Sequence, residues 1–448
     1  MSGLVAALNQ TLVIPLIPVF PELLGVSSED ASWFVTATLL VGAVSIPTVS
    51  RLADMYGRRV MLLCCLLILV LGAITSGLGD SYAIIIVGRA LAGFGLALIP
   101  IGIAILRDVM PPQRMGTAVA LMSATLGIGT ALGLPLSGVL YESLGWRWVF
   151  WLTAIVGAAL AVAVLVFVPR TLIRHGGRFD VPGALILAVA TASLLLVISK
   201  GGVWGWSSGI TLGLGTLAVA AFGVWVAVEL RRSEPLVDLR TSISRPVFAT
   251  NTAAVLVGFA LFINLLVAMQ QLQAPVETGY GLGHSVLFAS VLMIPSGLLM
   301  VVLSPLTGRL LDAAGGRVVL LGGAVVMSIG YLLRILLVAG EWGIVISTTV
   351  VSLGTAFAYA AMPTVIMQSV PEPMTAAANG LNTLLRQIGT SLSSAAVAAV
   401  LATGTIVVHG VLYADWEMLV VLNMLAAIAC IGAAALAVLI PRGRLPFA

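Results

Sequence analysis

Charge is scarce in this sequence. Asp, Glu, Lys and Arg make up 8% of its 448 residues, lysine occurs once, as Lys200, and cysteine three times. A water-soluble domain carries about a quarter of its residues as charges, so a soluble fold is excluded. Cys64, Cys65 and Cys430 all fall in apolar stretches without metal-ligand spacing, which leaves packing as their reading and no metal site. No glycine-rich loop runs into a lysine, so the chain has no phosphate-binding site for ATP. Its serines, histidines and acids show no convergent nucleophile arrangement, and an enzyme is not expected. Nothing resembles the short alternating strands of a membrane barrel. A net charge of +4 could suggest nucleic acid, but the basic residues sit in short loops between apolar blocks, where topology signals belong.

Long apolar runs are what the chain has. Hydrophobic residues are 60% of it, the mean hydropathy is +1.17, and the runs are about 20 residues long, the length of a bilayer-spanning helix. Lipid forces a backbone to satisfy its own hydrogen bonds, so the runs are helices and the chain is an all-α polytopic membrane protein. They fall near 2–20, 31–49, 60–78, 82–106, 116–139 and 147–168, then 183–199 and 209–229, then 247–270, 285–304, 318–338, 343–366, 380–404 and 416–440. The first starts almost at Met1 without a charged lead or a cleavage pattern, and reads as a spanning helix rather than a signal peptide.

The loops then sort by charge. Even-numbered connections and the C-terminal tail hold most arginines, from Arg51, Arg58 and Arg59 through Arg170, Arg174 and Arg178 to Arg442 and Arg444. Odd-numbered connections hold Arg147 and Lys200 against a run of acids that includes Glu22, Glu29, Asp30, Asp80 and Glu277. This bias places the even loops and both termini in the cytoplasm.

Two of those cytoplasmic loops match. SRLADMYGRR at 50–59 and GRLLDAAGGR at 308–317 share an arginine, a leucine, an aspartate, a glycine and a closing arginine. Each follows the second helix of a six-helix set, which implies a duplicated unit: 1–170, a two-helix insertion at 171–246, and 247–448. Parallel duplication is the plan of an alternating-access transporter. In such a plan Asp54, accepting from helix-end amides or pairing with Arg58, forms a gating latch, with Asp312 and Arg317 as its second copy.

At these residues the chain resembles the major facilitator superfamily, and within it the fourteen-helix drug:proton antiporters, over essentially its full length. SRLADMYGRR is similar to that family's G-x-L-A-D-x-x-G-R-R loop, with Ser50 in place of the leading glycine. GRALAGFGLA in helix 4 resembles its membrane arginine followed by glycines, and GTALGLPLSG at 129–138 resembles its antiporter signature, with the proline one position late at Pro135. GWRWVF at 145–150, FDVPGALILAVA at 179–190 and NGLNTLLRQIG at 379–389 are also similar to fourteen-helix members. The resemblance implies two six-helix bundles with two added helices, no cofactor, and coupling to a proton gradient. One departure stands in helix 1: LNQT at 8–11 puts Asn9 where the family has a titrating aspartate.

Individual residues carry paired expectations. Arg89 is a coupling or gating group at a central cavity, or else a side chain snorkelling to the nearby membrane edge. Arg386 gates or anchors at headgroups, and Arg334 near the outer end of helix 11 is at least as much structural. Gly129, Gly133 and Gly138, with a kink at Pro135, are expected to pack helix 5 closely against the other half, or simply to serve general helix packing. Asn264 and Gln271, seven apart on polar helix 9, join Asn9, Gln10 and Asn382 as cavity candidates or as interhelical polar contacts. Trp33 and Phe34 belong to the substrate wall or the aromatic belt. Glu29, Asp30 and Glu277 are the carboxylates available for proton coupling, or solvated loop charges.

The expected function is export of lipophilic or amphiphilic small molecules across a bacterial cytoplasmic membrane by a monomer, multidrug:proton antiport in type. The alternative is a lipid or lipid-precursor transporter with weak or no proton coupling, which Asn9 motivates.

Overall fold

The computed structural model describes residues 2–16, 20–26, 28–111, 114–169, 179–232, 239–337, 340–371, 374–401, 404–408 and 411–441. The basic residues at 170, 174, 178, 442 and 444 fall outside these segments, as does the side chain of Glu29. The described chain is all-helical apart from one hairpin, β1 (Thr405–Val408) and β2 (Val411–Ala414).

The first half comprises α1 (Ser2–Thr11), α2 (Ser28–Tyr56), α3 (Arg58–Leu78), α4, α5 (Met115–Leu144) and α6 (Trp148–Phe167). Within α4, Tyr82–Ala92 passes through a tighter turn at Gly93–Ala97 into Leu98–Val109. The turn falls where α2 presses in, because a side chain at Gly93 would meet the Thr38 carbonyl at 2.6 Å. Next come α7 (Val181–Trp204) and α8 (Gly209–Glu229), then α9 (Arg245–Gln273). Val286–Leu292, Ile294–Val302 and residues 304–314 form α10, which ends at a break at Gly315, and residues 316–336 form α11. α12 (Glu341–Ser369), α13 (Thr375–Leu401) and α14 (Trp416–Leu439) complete the chain.

By length and hydropathy eleven helices of the described residues are able to cross a membrane, with shorter apolar segments at Ser2–Leu16 and Leu287–Val302. Polar α13 supplies a further long helix. The helices therefore follow the sequence blocks, with shifted ends: α1 stops at Thr11 and α13 begins at Thr375.

The halves repeat each other in three dimensions. In the first, α3 and α4 meet backbone to backbone at Gly72 and Gly88; in the second, α11 and α12 do so at Gly323 and Gly354. Added Cβ atoms at these four glycines would lie within 2.4–2.7 Å of the facing glycine's carbonyl. Each half has its own apolar core, one around Leu62, Leu66, Leu69 and Ile101, the other around Val257, Leu320, Met327 and Leu422.

The inserted pair is central in sequence and peripheral in space. α7 packs against α2 and α13, with Leu195 buried among Ile46, Leu96 and Leu384, while α8 leans on α7 and is mostly exposed.

Candidate functional site

A cavity of about 230 Å³ lies between the halves. Its walls come from α1, α2, α4 and α5 of the first half and from α9, α10, α12 and α13, their counterparts in the second. The third and sixth helices of each half contribute nothing to it. The first half presents mainly Val35, Leu39, Ile46, Leu96 and Ile99; the second adds apolar Leu261, Phe262, Leu265, Met293 and Met300 together with polar Ser352, Thr355, Thr383, Gln387 and Thr390.

Arg89 lines the cavity and is 2% exposed. Its Nε donates to the Phe34 carbonyl at 2.9 Å, and one terminal nitrogen donates to the backbone and side-chain oxygens of Asn9 at 3.1 and 3.0 Å. The Asn9 amide donates in turn to the Ala92 carbonyl at 3.0 Å. Arg89 is thus held inside the bundle by neutral acceptors, and the snorkelling expectation is corrected: its reach is satisfied inward, so the chain has no reason to extend to the membrane edge.

The second half contains the same device. Arg334 of α11 donates to the backbone and side-chain oxygens of Asn264, at 3.2 and 2.6 Å, to Ser347 at 3.2 Å and to Thr348. Asn9 and Asn264 both stand on the first helix of their half, and each presents two oxygens to a buried guanidinium. The sequence showed Arg334 and Asn264 separately, but a partnership over 70 positions leaves no local pattern.

Arg386 also lines the cavity. Because α13 begins five residues before the sequence block suggests, Arg386 lies about 16 Å into the helix. It is not at the headgroups, and that expectation is corrected. Its guanidinium lies 4.4 Å from the Tyr359 ring centroid and donates to Thr383 over 3.5 Å.

The other cavity candidates separate. Gln10 and Asn264 line the wall. Asn9 stands behind Arg89, and Asn382 donates to Asn251 at 3.1 Å, a polar contact between α13 and α9. Gln271 is buried away from the wall. Trp33 and Phe34 are corrected as wall residues: Phe34 is enclosed by Phe20 and Tyr82, and Trp33 carries Lys200 over its ring at 4.9 Å. Of the acids, Glu277 is exposed on a loop turn and Asp30 sits in the first turn of α2, so neither reaches the cavity.

The glycines of α5 divide between two partners. A side chain at Gly127 would meet Met300 at 2.7 Å and one at Gly138 would meet Leu287 at 3.2 Å, both on α10 across the seam. Gly129 and Gly133 instead accommodate Ala7 and Thr11 of α1, within the same half, which corrects the expectation that they face the other half. α5 runs unbroken through Pro135, and the Ser137 hydroxyl donates to the Leu12 carbonyl at 2.6 Å.

Two related contacts join the halves beyond the lining residues. Asp54 at the end of α2 accepts from the Ala377 backbone N–H at the start of α13, at 3.0 Å. Asp312, aligned with it in the repeat, accepts from the Thr117 hydroxyl in the first turn of α5 at 3.3 Å. The two differ in the residue that follows four positions on. Arg58 donates to Asp54 at 2.9 and 3.1 Å and also to Asp108, whereas Gly316 takes the place of Arg58 in the second copy. Arg317 forms no ion pair among the described residues. Arg107, which sequence reasoning missed, adds donors to Thr375 and to the Val370 carbonyl across the same seam.

Two helical halves around a shared cavity are the architecture of a membrane transporter of the two-bundle type. The family model described as "Major Facilitator Superfamily" matches residues 1–394, and the chain belongs to that superfamily, whose members are transporters rather than enzymes. The tetracenomycin C resistance and export protein of Streptomyces glaucescens is 30% identical over 419 residues, 89% of this chain and 74% of that protein. Multidrug resistance protein Stp of Mycobacterium tuberculosis (strain CDC 1551 / Oshkosh) is 28% identical over 399 residues, 88% of this chain and 73% of that protein. The human organic anion transporter MFSD10 (TETRAN) shares the fold, with a TM-score of 0.67 at 16% identity over 96% of this chain and 97% of that one.

Proposed function

We propose that this chain is a secondary active exporter of lipophilic or amphiphilic compounds, working by alternating access in a bacterial cytoplasmic membrane. The observation that carries this reading is the cavity at the seam of the halves, with the Asp54–Ala377 and Asp312–Thr117 contacts joining the halves beyond one end of its lining. The basic bias of the even loops assigns that end, and both termini, to the cytoplasm. The halves would then rock about the cavity and break the two latches as it opens inward. Domains at 1–170, 171–246 and 247–448 follow from the same plan. The resistance and export functions in the names of the relatives support efflux as the direction, and the sequence motifs support the fourteen-helix drug:proton antiporter branch. Both halves that line the cavity belong to one chain, which supports a monomer as the working unit.

The weaker-coupled lipid reading keeps one specific support: Asn9 cannot titrate, and no Asp or Glu among the described residues lines the cavity. Proteoliposomes of purified protein decide between them. Antiport predicts that an imposed pH gradient drives movement of a lipophilic dye and that Arg89→Ala abolishes it. Dye movement indifferent to the gradient removes proton coupling from the reading, and no movement by folded protein removes drug export.

A further inference from the structure

We propose that the cavity selects anionic amphiphiles, with Arg386 as the residue that anchors the acidic group. The inference rests on the exporter reading for transport but not for binding.

Charge balance at the wall is the first argument. Arg89 and Arg386 line the cavity, Arg334 is bonded to the lining residues Asn264 and Thr348, and no carboxylate among the described residues lines it. None of the three arginines forms an ion pair among those residues. Positive charge buried in a membrane protein without a counter-charge is costly, and an anion in the cavity supplies the missing partner.

The second argument is the difference between the three guanidiniums. Arg89 and Arg334 are held by several acceptors. Arg386 is 7% exposed and faces the cavity, with five donor hydrogens and one long hydrogen bond, to Thr383 at 3.5 Å. Tyr359 covers one face of its plane at 4.4 Å and leaves the donor edge available. A planar fork with a stacked face suits a carboxylate, sulfonate or phosphate, which can accept two of its N–H groups at once.

The distribution of polarity supplies the amphiphile. Thr383, Gln387 and Thr390 lie near Arg386 on α13, and much of the remaining wall is apolar, with Leu39, Leu96 and Ile99 from the first half and Leu261, Phe262 and Met300 from the second. An acidic head at α13 therefore leaves its apolar body against these aliphatic and aromatic side chains. A cationic head would meet guanidinium charge with no carboxylate to offset it.

The test uses three probes of matched body: a diethylaminocoumarin carboxylic acid, its primary carboxamide and its trimethylammonioethyl amide. Equilibrium dialysis against detergent-purified protein reads binding, and proteoliposomes read transport. The acid is expected to bind at least about tenfold more tightly than the cation, the scale of one charge-assisted hydrogen bond. Arg386→Gln should erase that preference while changing carboxamide binding less than about twofold, and Arg386→Lys should retain part of it. Equal or better binding of the cation by wild type overturns the proposal without any variant, as does absence of binding by all three. Equal weakening of all three by Arg386→Gln also overturns it, since that marks a structural role. Transport of the carboxamide without an acid preference would sink this inference and keep the exporter; an acid preference without transport would do the reverse. Displacement of the acid by dihexanoyl phosphatidylglycerol, but not by the phosphatidylcholine, assigns the site to anionic lipid. Displacement by neither assigns it to free organic acids, and equal displacement by both counts against charge selection.

Discussion

Asp54 and Ala377 stand 323 positions apart, and the carboxylate of one accepts the backbone N–H of the other at 3.0 Å. That bond satisfies a free amide at the start of α13 and places a negative charge at its positive end. It is also held by Arg58, so the latch is a three-part unit.

Removing it should open the seam. A charge-assisted hydrogen bond contributes about 1.5–3 kcal/mol, a population shift of roughly ten- to a hundredfold. In a background with Cys64, Cys65 and Cys430 replaced by Ala, Ser50→Cys reports on the seam, because Ser50 is buried under Gly380. Asp54→Ala should accelerate its labelling by an impermeant maleimide by at least about tenfold. Asp312→Ala should do less, since its bond to Thr117 is longer and no arginine stands at Gly316. Equal effects would contradict the asymmetry.

The paired asparagines predict losses of stability of unequal size. Asn9→Ala removes an acceptor from Arg89 and the donor to Ala92, and Asn264→Ala removes the side-chain acceptor of Arg334. Each should cost about 1–3 kcal/mol and lower the Tm in detergent. Asn9→Ala should be the more damaging, because Arg334 keeps Ser347 and Thr348 as partners. An unchanged Tm in both would show that the cavity solvates the guanidiniums without them.

Close approach at the other seam is testable through bulk. A Cβ at Gly297 would lie 2.2 Å from the Ala131 Cβ and 2.7 Å from the Gly127 carbonyl, so Gly297→Val should force α10 from α5. Transport is expected to fall by more than about tenfold, as overpacking of this kind costs roughly 1–3 kcal/mol. Gly322→Ala, with nothing within 4 Å, should transport as wild type does.

The repeat also shares a backbone device. Gly57 and Gly315 occupy the same place in the two matched loops and have φ of 113° and 79°. An added side chain meets no atom within 4 Å at either site, so any cost of Gly57→Ala or Gly315→Ala is conformational. Each should lower stability by about 1–2 kcal/mol, read as a drop in Tm. A neutral result would mean that the loop relaxes to negative φ.

Much of this fold was legible because lipid leaves few options. Apolar runs of bilayer length must be helices, and a repeated polar loop in so apolar a chain marks equivalent points of two units. The ends were less legible: α13 starts at Thr375, five residues before the apolar block at 380–404 and ahead of polar Asn379, and this misplaced Arg386. Candidate residues were visible as rare polar groups, yet Phe34, Gln271 and Asn382 turned away from the cavity. Helix periodicity gives a residue's face but not what that face meets.

The sequence by itself determined the all-α membrane class and the apolar blocks that become helices, and two matched loops pointed to a duplication, because each follows from local composition or from direct comparison of two loops. Only the tertiary structure decided that Asn9 and Asn264 each hold an arginine, that Gly129 and Gly133 serve α1, and that Arg386 reaches the cavity underpartnered. Those outcomes depend on which helices are neighbours and how each is rotated, quantities fixed by packing among residues far apart in the chain.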